Sequence, residues 1–400
     1  MSRVALQTLL LAAGVAWTLT PLVILLAHWL GAVDQPGPRK IHQRPIPRIG
    51  GVSVFAGFVS ALAYAAYATG FVDQLPSKSL YWGTVAAAAT TLFLLGLVDD
   101  LWGLSFRWKF AVQIVIATIV WLGGFRIEIL SYPFGQGSLD LGALSLPVTI
   151  LWVVGITNAM NLIDGLDGLA VGTALISTTT VAVIAYYRGQ VAVAAVSIAL
   201  VGSLLGFLRY NFSPARIFLG DSGSMLLGFT LAVTSIHGSQ KGPTVVAVLA
   251  PLLVLGLPIL DTTLAVLRRL YRLGRDGVGS DQGVHSFVLR NASRLFIPDQ
   301  DHLHHRLLDV GLSQRAAVLV LYSVVLLLAL TATVHVFSRG AWVALLLVGV
   351  LSTTILGLLL LVMIQRRRDR AKDAISVSSI PVHPAHLAVA PGGRSSVAER

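Results

Sequence analysis

Acidic residues stand out in this chain because they sit at the ends of long apolar segments. Asp99 and Asp100 end one apolar run, Asp164 and Asp167 follow another, and Asp221 lies at the start of a third. Acidic residues at membrane depth are costly and are usually functional. If these carboxylates converge on one membrane face, they offer oxygen ligands to a hard cation, and such cations usually bring phosphates. The pattern predicts phosphate chemistry assisted by a metal ion.

The pair Asp99 and Asp100 is followed by two cations, Arg107 and Lys109. A simple interpretation is that a helix end carries charge. The nearby cations favour a second interpretation, in which they offset the carboxylates or hold a phosphate oxygen.

The most informative stretch is 157–168, where Asn158, Asn161, Asp164 and Asp167 recur at three-residue spacing. If the helix continued through all four, their side chains would occupy neighbouring positions. Asn and Asp with Gly also form ordinary turns, but four polar side chains in register directly after an apolar span favour a binding site.

Two further segments leave alternatives open. In Phe218–Ser224, Asp221 is either a helix cap or a metal ligand beside backbone N–H groups that meet a phosphate. His302, His304 and His305 would suit zinc, or belong to a solvated loop. We prefer hydrogen bonding to a diphosphate, because both ring nitrogens donate when histidine is charged.

Composition indicates the elements that position these residues. Of 400 residues, 55% are hydrophobic and only 12% are charged, whereas soluble domains carry about a quarter charged. Apolar runs of about 20 residues recur along the chain, which predicts an all-α polytopic membrane protein. We expect about eleven transmembrane helices, at 4–30, 50–72, 80–98, 108–124, 143–162, 168–187, 190–208, 217–236, 243–267, 314–336 and 341–364.

Basic residues fix the predicted orientation. With the N-terminus outside and the C-terminus cytoplasmic, only six of the 29 Lys and Arg residues lie outside, so the positive-inside rule places the acids on the cytoplasmic face. Those six are Arg3, Lys78, Arg126, Arg188, Lys241 and Arg339. Because orientation explains the net charge of +11, we expect no nucleic-acid binding.

The remaining features concern chain organisation. Gly135–Gly142 is interpreted as an external turn or small hairpin, residues 1–370 as a membrane domain with cytoplasmic active-site loops, and residues 371–400 as a disordered cytoplasmic tail. The absence of cysteine excludes a disulfide, a thiolate nucleophile and Cys-ligated zinc.

At these residues the sequence resembles the polyprenyl-phosphate N-acetylhexosamine-1-phosphate transferases of glycosyltransferase family 4. The resemblance covers roughly residues 35–320 and consists of motifs in the family's order. These are 39–42 with 45–51, Asp99-Asp100 with Lys109, 158–168, Asn211 with 218–224, Pro258 with Asp261-Thr262, and 302–305 with Gly311.

The resemblance implies transfer of an N-acetylhexosamine 1-phosphate, most simply GlcNAc 1-phosphate, from a UDP-sugar to undecaprenyl or another polyprenyl phosphate, with release of UMP. It implies a bacterial inner-membrane enzyme that catalyses the first membrane step of cell-envelope polysaccharide synthesis. Mg²⁺, with Mn²⁺ as a substitute, would be held by Asp221, with Asn161 as a second ligand.

The resemblance also implies roles for the other motif residues. Asp99, Asp100, Lys109 and Asp221 would be catalytic, with Asp99 and Asp100 near the lipid phosphate. Asn211 and Phe218 would bind uridine, the ring stacking on the base, and Asp164 and Asp167 would orient the nucleotide or metal. The other substrate-binding positions would be Lys40, Arg48, Asn158, Asn161, His302, His304 and His305.

Alternatives remain at this point. A related transferase uses a muramyl-pentapeptide nucleotide, and a cation-coupled transporter also carries intramembrane acids, although near the bilayer midplane. The segment 269–299 is longer than is usual in the family, which puts the donor sugar in doubt. Direct displacement is preferred to a covalent aspartyl-phosphate route, and the oligomeric state is open, with a homodimer as one arrangement.

Overall fold

The computed structural model describes residues 3–37, 43–69, 79–131, 138–239, 255–256, 258–261, 263, 307–337 and 349. The predicted site residues Lys40, His302, His304 and His305 lie outside these ranges, as do the tail 371–400 and most of the predicted spans 243–267 and 341–364.

The described part of the chain is mostly helical. Its long helices are α1 (Arg3–Trp29), α2 (Gly51–Ala68), α3 (Ser79–Trp102), α4 (Phe106–Leu122), α5 (Ser145–Ile163), α6 (Leu169–Tyr187), α7 (Val191–Asn211), α8 (Gly220–Ser239) and α9 (Gln314–Phe337). Lipid offers no hydrogen-bond partners to the backbone. An apolar segment in lipid is therefore stable as a helix, which satisfies its own backbone hydrogen bonds.

Seven of these helices are long and apolar enough to cross a membrane, namely α1, α2, α3, α5, α6, α7 and α9. Large apolar side chains such as Leu25 and Leu151 are exposed on them, as expected where lipid is the solvent. The chain is therefore a polytopic membrane protein. Within the described ranges, α4 with 17 residues and α8 with Asp221 in its first turn fall outside that set. The count of eleven spans stays a prediction.

Two short antiparallel strand pairs join helices. β1 (Val33–Asp34) pairs with β2 (Ile46–Pro47), which the sequence did not predict. β3 (Ile129–Ser131) pairs with β4 (Ser138–Asp140), with Ile129 opposite Asp140. The second pair confirms a small hairpin at the predicted external turn.

Helix α8 lies inside the bundle and packs against α2, α3, α5, α6 and α7. Two glycines permit the closest approaches to its first turn. A Cβ on Gly96 of α3 would lie 2.4 Å from the Asp221 carbonyl oxygen, and one on Gly51 of α2 would lie 2.3 Å from the Gly223 nitrogen. Small residues let helices approach at backbone distance in membranes. The end of α3 is thereby held beside the start of α8.

Candidate active site

Lys109 joins the acidic ends of two helices. Its Nζ lies 2.9 Å from Asp99 Oδ2 at the end of α3 and 2.8 Å from Asp221 Oδ2 at the start of α8. All three side chains are partly exposed, between 14% and 25%. One ammonium group therefore bridges two carboxylates at a surface that a ligand can reach.

Asn161 on α5 holds the other oxygen of Asp221. Its Nδ2 donates to Asp221 Oδ1 and to Ser224 Oγ, each at 2.9 Å. Asp221 lies in the first turn of α8, where the positive end of the helix dipole favours a negative charge. The carboxylate is thus fixed from α4 and α5 and aligned by its own helix.

Asp100 has a different environment from its neighbour Asp99. It is 4% exposed, and its carboxylate accepts hydrogen bonds from Asp221 N at 2.8 Å, Ser222 N at 3.0 Å and Ser222 Oγ at 2.7 Å. These are donors of the first turn of α8 that have no partner within the helix. Asp100 therefore caps α8 from another helix. Gly220 has φ +76°, and a Cβ there would lie 2.6 Å from Asp100 Oδ2, so this cap requires glycine.

The segment after α5 forms a turn. The helix ends at Ile163, and Gly168 with φ +80° precedes α6. Asp164 and Asp167 therefore do not continue the helical register of Asn158 and Asn161. The turn interpretation is confirmed. The site interpretation stays a prediction, and it is favoured by the charges of Asp221 and Asp100 acting on Asp164.

Asp164 and Asp167 have distinct surroundings. Asp167 Oδ2 accepts a hydrogen bond from Ala215 N at 2.9 Å, which ties the turn to the loop between α7 and α8. Burial, followed by the negative charges of Asp221, Asp100 and Asp167, raises the pKa of Asp164 well above its ordinary value. A carboxyl group surrounded by other carboxylates is stabilised in its ionised form by a bound cation.

Asn158 lies one turn deeper along α5 than Asn161. Its Nδ2 donates to Gln113 Oε1 at 2.5 Å and to Val154 O at 2.7 Å. Gln113 on α4 is 2% exposed and its Nε2 has no hydrogen-bond partner among the described residues. The sequence analysis missed Gln113, although a buried amide four residues after Lys109 in an apolar span is a recognisable signal.

Asn211 and Phe218 belong to the link between α7 and α8. Asn211 is 1% exposed, and its Nδ2 donates to Ile217 O at 3.0 Å, while Oδ1 has no partner in the described structure. Phe218 is half-buried, and its backbone bonds Pro47 and Gly50. In the structure the Asn211 side chain therefore stabilises the loop between α7 and α8, and its uridine-binding role stays a prediction.

Arg48 lies at the same link. Its carbonyl oxygen lies against Gly220, and its side chain is half-buried with an Nε that has no partner in the described ranges. An unpaired guanidinium nitrogen suits an anionic ligand. Of the predicted site residues that are described, Asp99, Asp100, Lys109, Asn161 and Asp221 are joined directly by hydrogen bonds or ion pairs.

The donor set fits a hard cation only in part. Within the described ranges no group of three or more His, Asp or Glu side chains is arranged as a metal cage. Mg²⁺ is commonly held by one or two carboxylates with substrate phosphates and water completing its shell, and Asp221 with Asp164 nearby offers that chemistry. Asp221 in this state is neutralised by Lys109.

Comparisons with known proteins agree with the motifs. The model of glycosyl transferase family 4 matches residues 82–239, which include Asp99, Asp100, Asp164, Asp167 and Asp221. A probable undecaprenyl-phosphate N-acetylglucosaminyl 1-phosphate transferase of Bacillus subtilis is 37% identical over 333 residues, covering 83% of this chain and 85% of that protein. The decaprenyl-phosphate N-acetylglucosaminephosphotransferase of Mycobacterium tuberculosis is 36% identical over 391 residues, covering 91% and 90%.

A more distant relative extends the comparison. The undecaprenyl-phosphate alpha-N-acetylglucosaminyl 1-phosphate transferase of Escherichia coli is 28% identical over 329 residues, covering 80% of this chain and 82% of that protein. The resemblance drawn from the motifs is confirmed: this chain belongs to glycosyl transferase family 4.

Proposed function

We propose that this protein transfers GlcNAc 1-phosphate from UDP-GlcNAc to a polyprenyl phosphate and releases UMP. The relatives above carry N-acetylglucosamine in their names, which supports this donor over a muramyl-pentapeptide nucleotide and the enzyme class over a transporter. Their names differ in the carrier, undecaprenyl in two and decaprenyl in one, so the carrier is proposed only as a polyprenyl phosphate.

The observation that carries the proposal is the ion-paired centre formed by Asp99, Lys109 and Asp221. Three helix ends supply a cation and two carboxylates within 2.9 Å at a partly exposed surface. Phosphoryl transfer needs mostly positioning and charge neutralisation, and this arrangement offers both.

The reaction balances without another reactant. An oxygen of the lipid phosphate attacks the sugar-bearing phosphorus of UDP-GlcNAc and forms the new P–O bond. The bond from that phosphorus to the bridging oxygen breaks, and UMP leaves with the electron pair. In this scheme Lys109 neutralises developing charge on the phosphates, and Asp99 orients Lys109.

The remaining residues hold the substrates. Asp167 contacts the 212–217 loop, and Asp164 lies in the same turn. Both are proposed to orient the nucleotide, while Arg48 pairs with a phosphate oxygen. Asp221 and an oxygen of Asn161 or Asp164 would hold Mg²⁺ or Mn²⁺. When bound, the ion supplies charge neutralisation on the diphosphate.

We also propose that this centre faces the cytoplasm of a bacterial inner membrane. In the orientation that the positive-inside rule predicts, the ends of α3, α4 and α8 that meet here would lie on the same side as the basic loops. The enzyme would then start a cell-envelope polysaccharide, such as a wall teichoic acid or a lipopolysaccharide O-antigen, from a cytoplasmic nucleotide sugar.

The test is UMP release by the purified protein in detergent, with undecaprenyl phosphate and a panel of UDP-sugars. UDP-GlcNAc should give the highest kcat/KM, and omission of the lipid should abolish release. Asp221→Asn is the inactive control. A higher kcat/KM for the muramyl-pentapeptide nucleotide would refute the donor, and no release from any UDP-sugar would refute the function.

A further inference from the structure

Helix α9 contacts the proposed nucleotide side of the site at two backbone carbonyl groups. Tyr322 donates its hydroxyl to Gly168 O at 2.5 Å, and Arg315 Nε donates to Ser213 O at 2.9 Å. Both bonds join residues more than a hundred positions apart in sequence. They are therefore tertiary contacts that local sequence does not require.

The two carbonyl groups belong to the two segments that the proposed function assigns to the donor. Gly168 ends the turn that carries Asp164 and Asp167, and Ser213 lies in the loop between α7 and α8. The segments are already joined to each other, because Asp167 Oδ2 accepts a hydrogen bond from Ala215 N at 2.9 Å. Helix α9 thus contacts both of the segments that this bond joins, at Gly168 and at Ser213.

The Tyr322 ring is held in a fixed position. A Cβ on Gly172 would lie 2.0 Å from the Tyr322 ring and hydroxyl, so the absence of a side chain there creates the space that the ring occupies. Around it, Leu166 and Leu169 pack with Val318 and Leu321 of α9 in a buried apolar cluster. The packing directs the hydroxyl at the carbonyl oxygen of Gly168.

We propose that Tyr322 is a positioning residue for the nucleotide sugar, acting through the Gly168 carbonyl, with Arg315 as a second tether on the adjoining loop. The inference rests on the proposed function for the identity of the donor. It adds that the turn 164–168 is placed by α9 as well as by the helices on either side of it. The resemblance places the lipid phosphate near Asp99 and Asp100, so we expect its binding to be unaffected.

The first test is Tyr322→Phe, which removes the hydroxyl and keeps the ring in the Gly172 space. Loss of this bond removes the tether from α9 and leaves the Gly168 carbonyl with only its bond from Gly172 N of α6. We expect the KM for UDP-GlcNAc to rise about tenfold. The KM for undecaprenyl phosphate and kcat should change less than about twofold. Tyr64→Phe is the matched control, because that hydroxyl also donates a short bond, to Gln7 Oε1 at 2.6 Å, between α2 and α1.

A double-mutant cycle separates positioning from general loosening. Gly172→Ala should displace the ring and raise the donor KM without altering the hydroxyl chemically. Adding Tyr322→Phe to Gly172→Ala should then have no further effect, since the shared bond is already broken. Independent, multiplicative effects of the two changes would overturn the proposal, as would an unchanged donor KM in Tyr322→Phe or an equal rise in both KM values.

Hydrogen exchange without substrate gives a readout that is independent of activity. Peptides covering 164–169 should exchange faster in Tyr322→Phe than in wild type, while those covering α1 and α2 stay unchanged. If wild type releases no UMP, the proposed function fails. If exchange at 164–169 is the same in Tyr322→Phe and in wild type, the positioning inference fails, whatever the activity. If wild type is active and exchange at 164–169 is unaltered, only the inference falls.

Discussion

Asp99 and Asp100 are adjacent in sequence, and their contacts predict different defects when each is replaced by Asn. Asp100 accepts three hydrogen bonds from the first turn of α8, two on Oδ2 and one on Oδ1. In Asp100→Asn, one oxygen becomes an NH₂ group that faces backbone N–H donors. A hydrogen bond to a charged group contributes about 1.5–3 kcal/mol, so we expect a loss of about 3 kcal/mol.

That loss is measurable as melting temperature in detergent. For a large domain, about 3 kcal/mol corresponds to a fall of roughly 5 °C. Turnover should also fall, because the cap places Asp221. Ser222→Ala is a useful partner variant, since it removes only the hydroxyl donor to Asp100 Oδ2 and should lower the melting temperature by less.

Asp99→Asn should lower turnover without lowering the melting temperature. Its Oδ1 accepts from Leu104 N at 2.5 Å, a bond that Asn can keep, and its Oδ2 contacts Lys109 at a partly exposed ion pair. Such pairs contribute about 1 kcal/mol or less to stability. We expect wild-type melting and a fall in kcat of about two to three orders of magnitude. Wild-type melting of Asp100→Asn, or equal destabilisation by both substitutions, would refute the division of roles.

Three further predictions follow from the site and the topology. Asp221→Asn should nearly abolish UMP release while the protein stays folded, and near-wild-type turnover at saturating Mg²⁺ would contradict the metal role. Lys109→Met should lower kcat at least about a hundredfold by leaving two carboxylates unneutralised, whereas Lys109→Arg should retain part of the activity; equal loss in both would argue against a charge role. In this chain without native cysteine, Tyr187→Cys should react with an impermeant reagent from outside and Ser313→Cys should not, and the reverse pattern would invert the orientation.

The sequence predicted that Asp99, Asp100 and Asp221 come together, because apolar segments make intramembrane charge conspicuous. It offered Arg107 and Lys109 as the cations after Asp99, and the family resemblance singled out Lys109, which the structure pairs with Asp99 and Asp221. It did not predict that Asp100 caps α8, because the donors lie 121 and 122 positions away and a cap in another helix leaves no local pattern.

The break after Ile163 illustrates a second limit. Three-residue spacing from Asn158 to Asp167 fits a helix as well as a turn, and periodicity does not choose between them. The left-handed backbone of Gly168 and the bond from Tyr322 decide the matter, and both depend on tertiary structure. Gln113 is a different case, because its amide in an apolar span was a recognisable signal that was missed; only its contact with Asn158 required the packing of α4 against α5.

The contacts of the acid pair also bear on the choice between direct displacement and a covalent aspartyl-phosphate. A carboxylate nucleophile needs an oxygen free to approach phosphorus. Both oxygens of Asp100 are engaged by α8, and those of Asp99 are engaged by Leu104 N and Lys109. The lipid phosphate needs no such release, because a phosphate monoester has a second pKa near 6 and is largely dianionic at neutral pH. This favours attack by the lipid phosphate, so wild type without lipid should release no stoichiometric burst of UMP and retain no labelled sugar phosphate. A burst of one UMP per site with an adduct on Asp99 or Asp100 would require one of these carboxylates to leave its present partners, and would refute direct displacement.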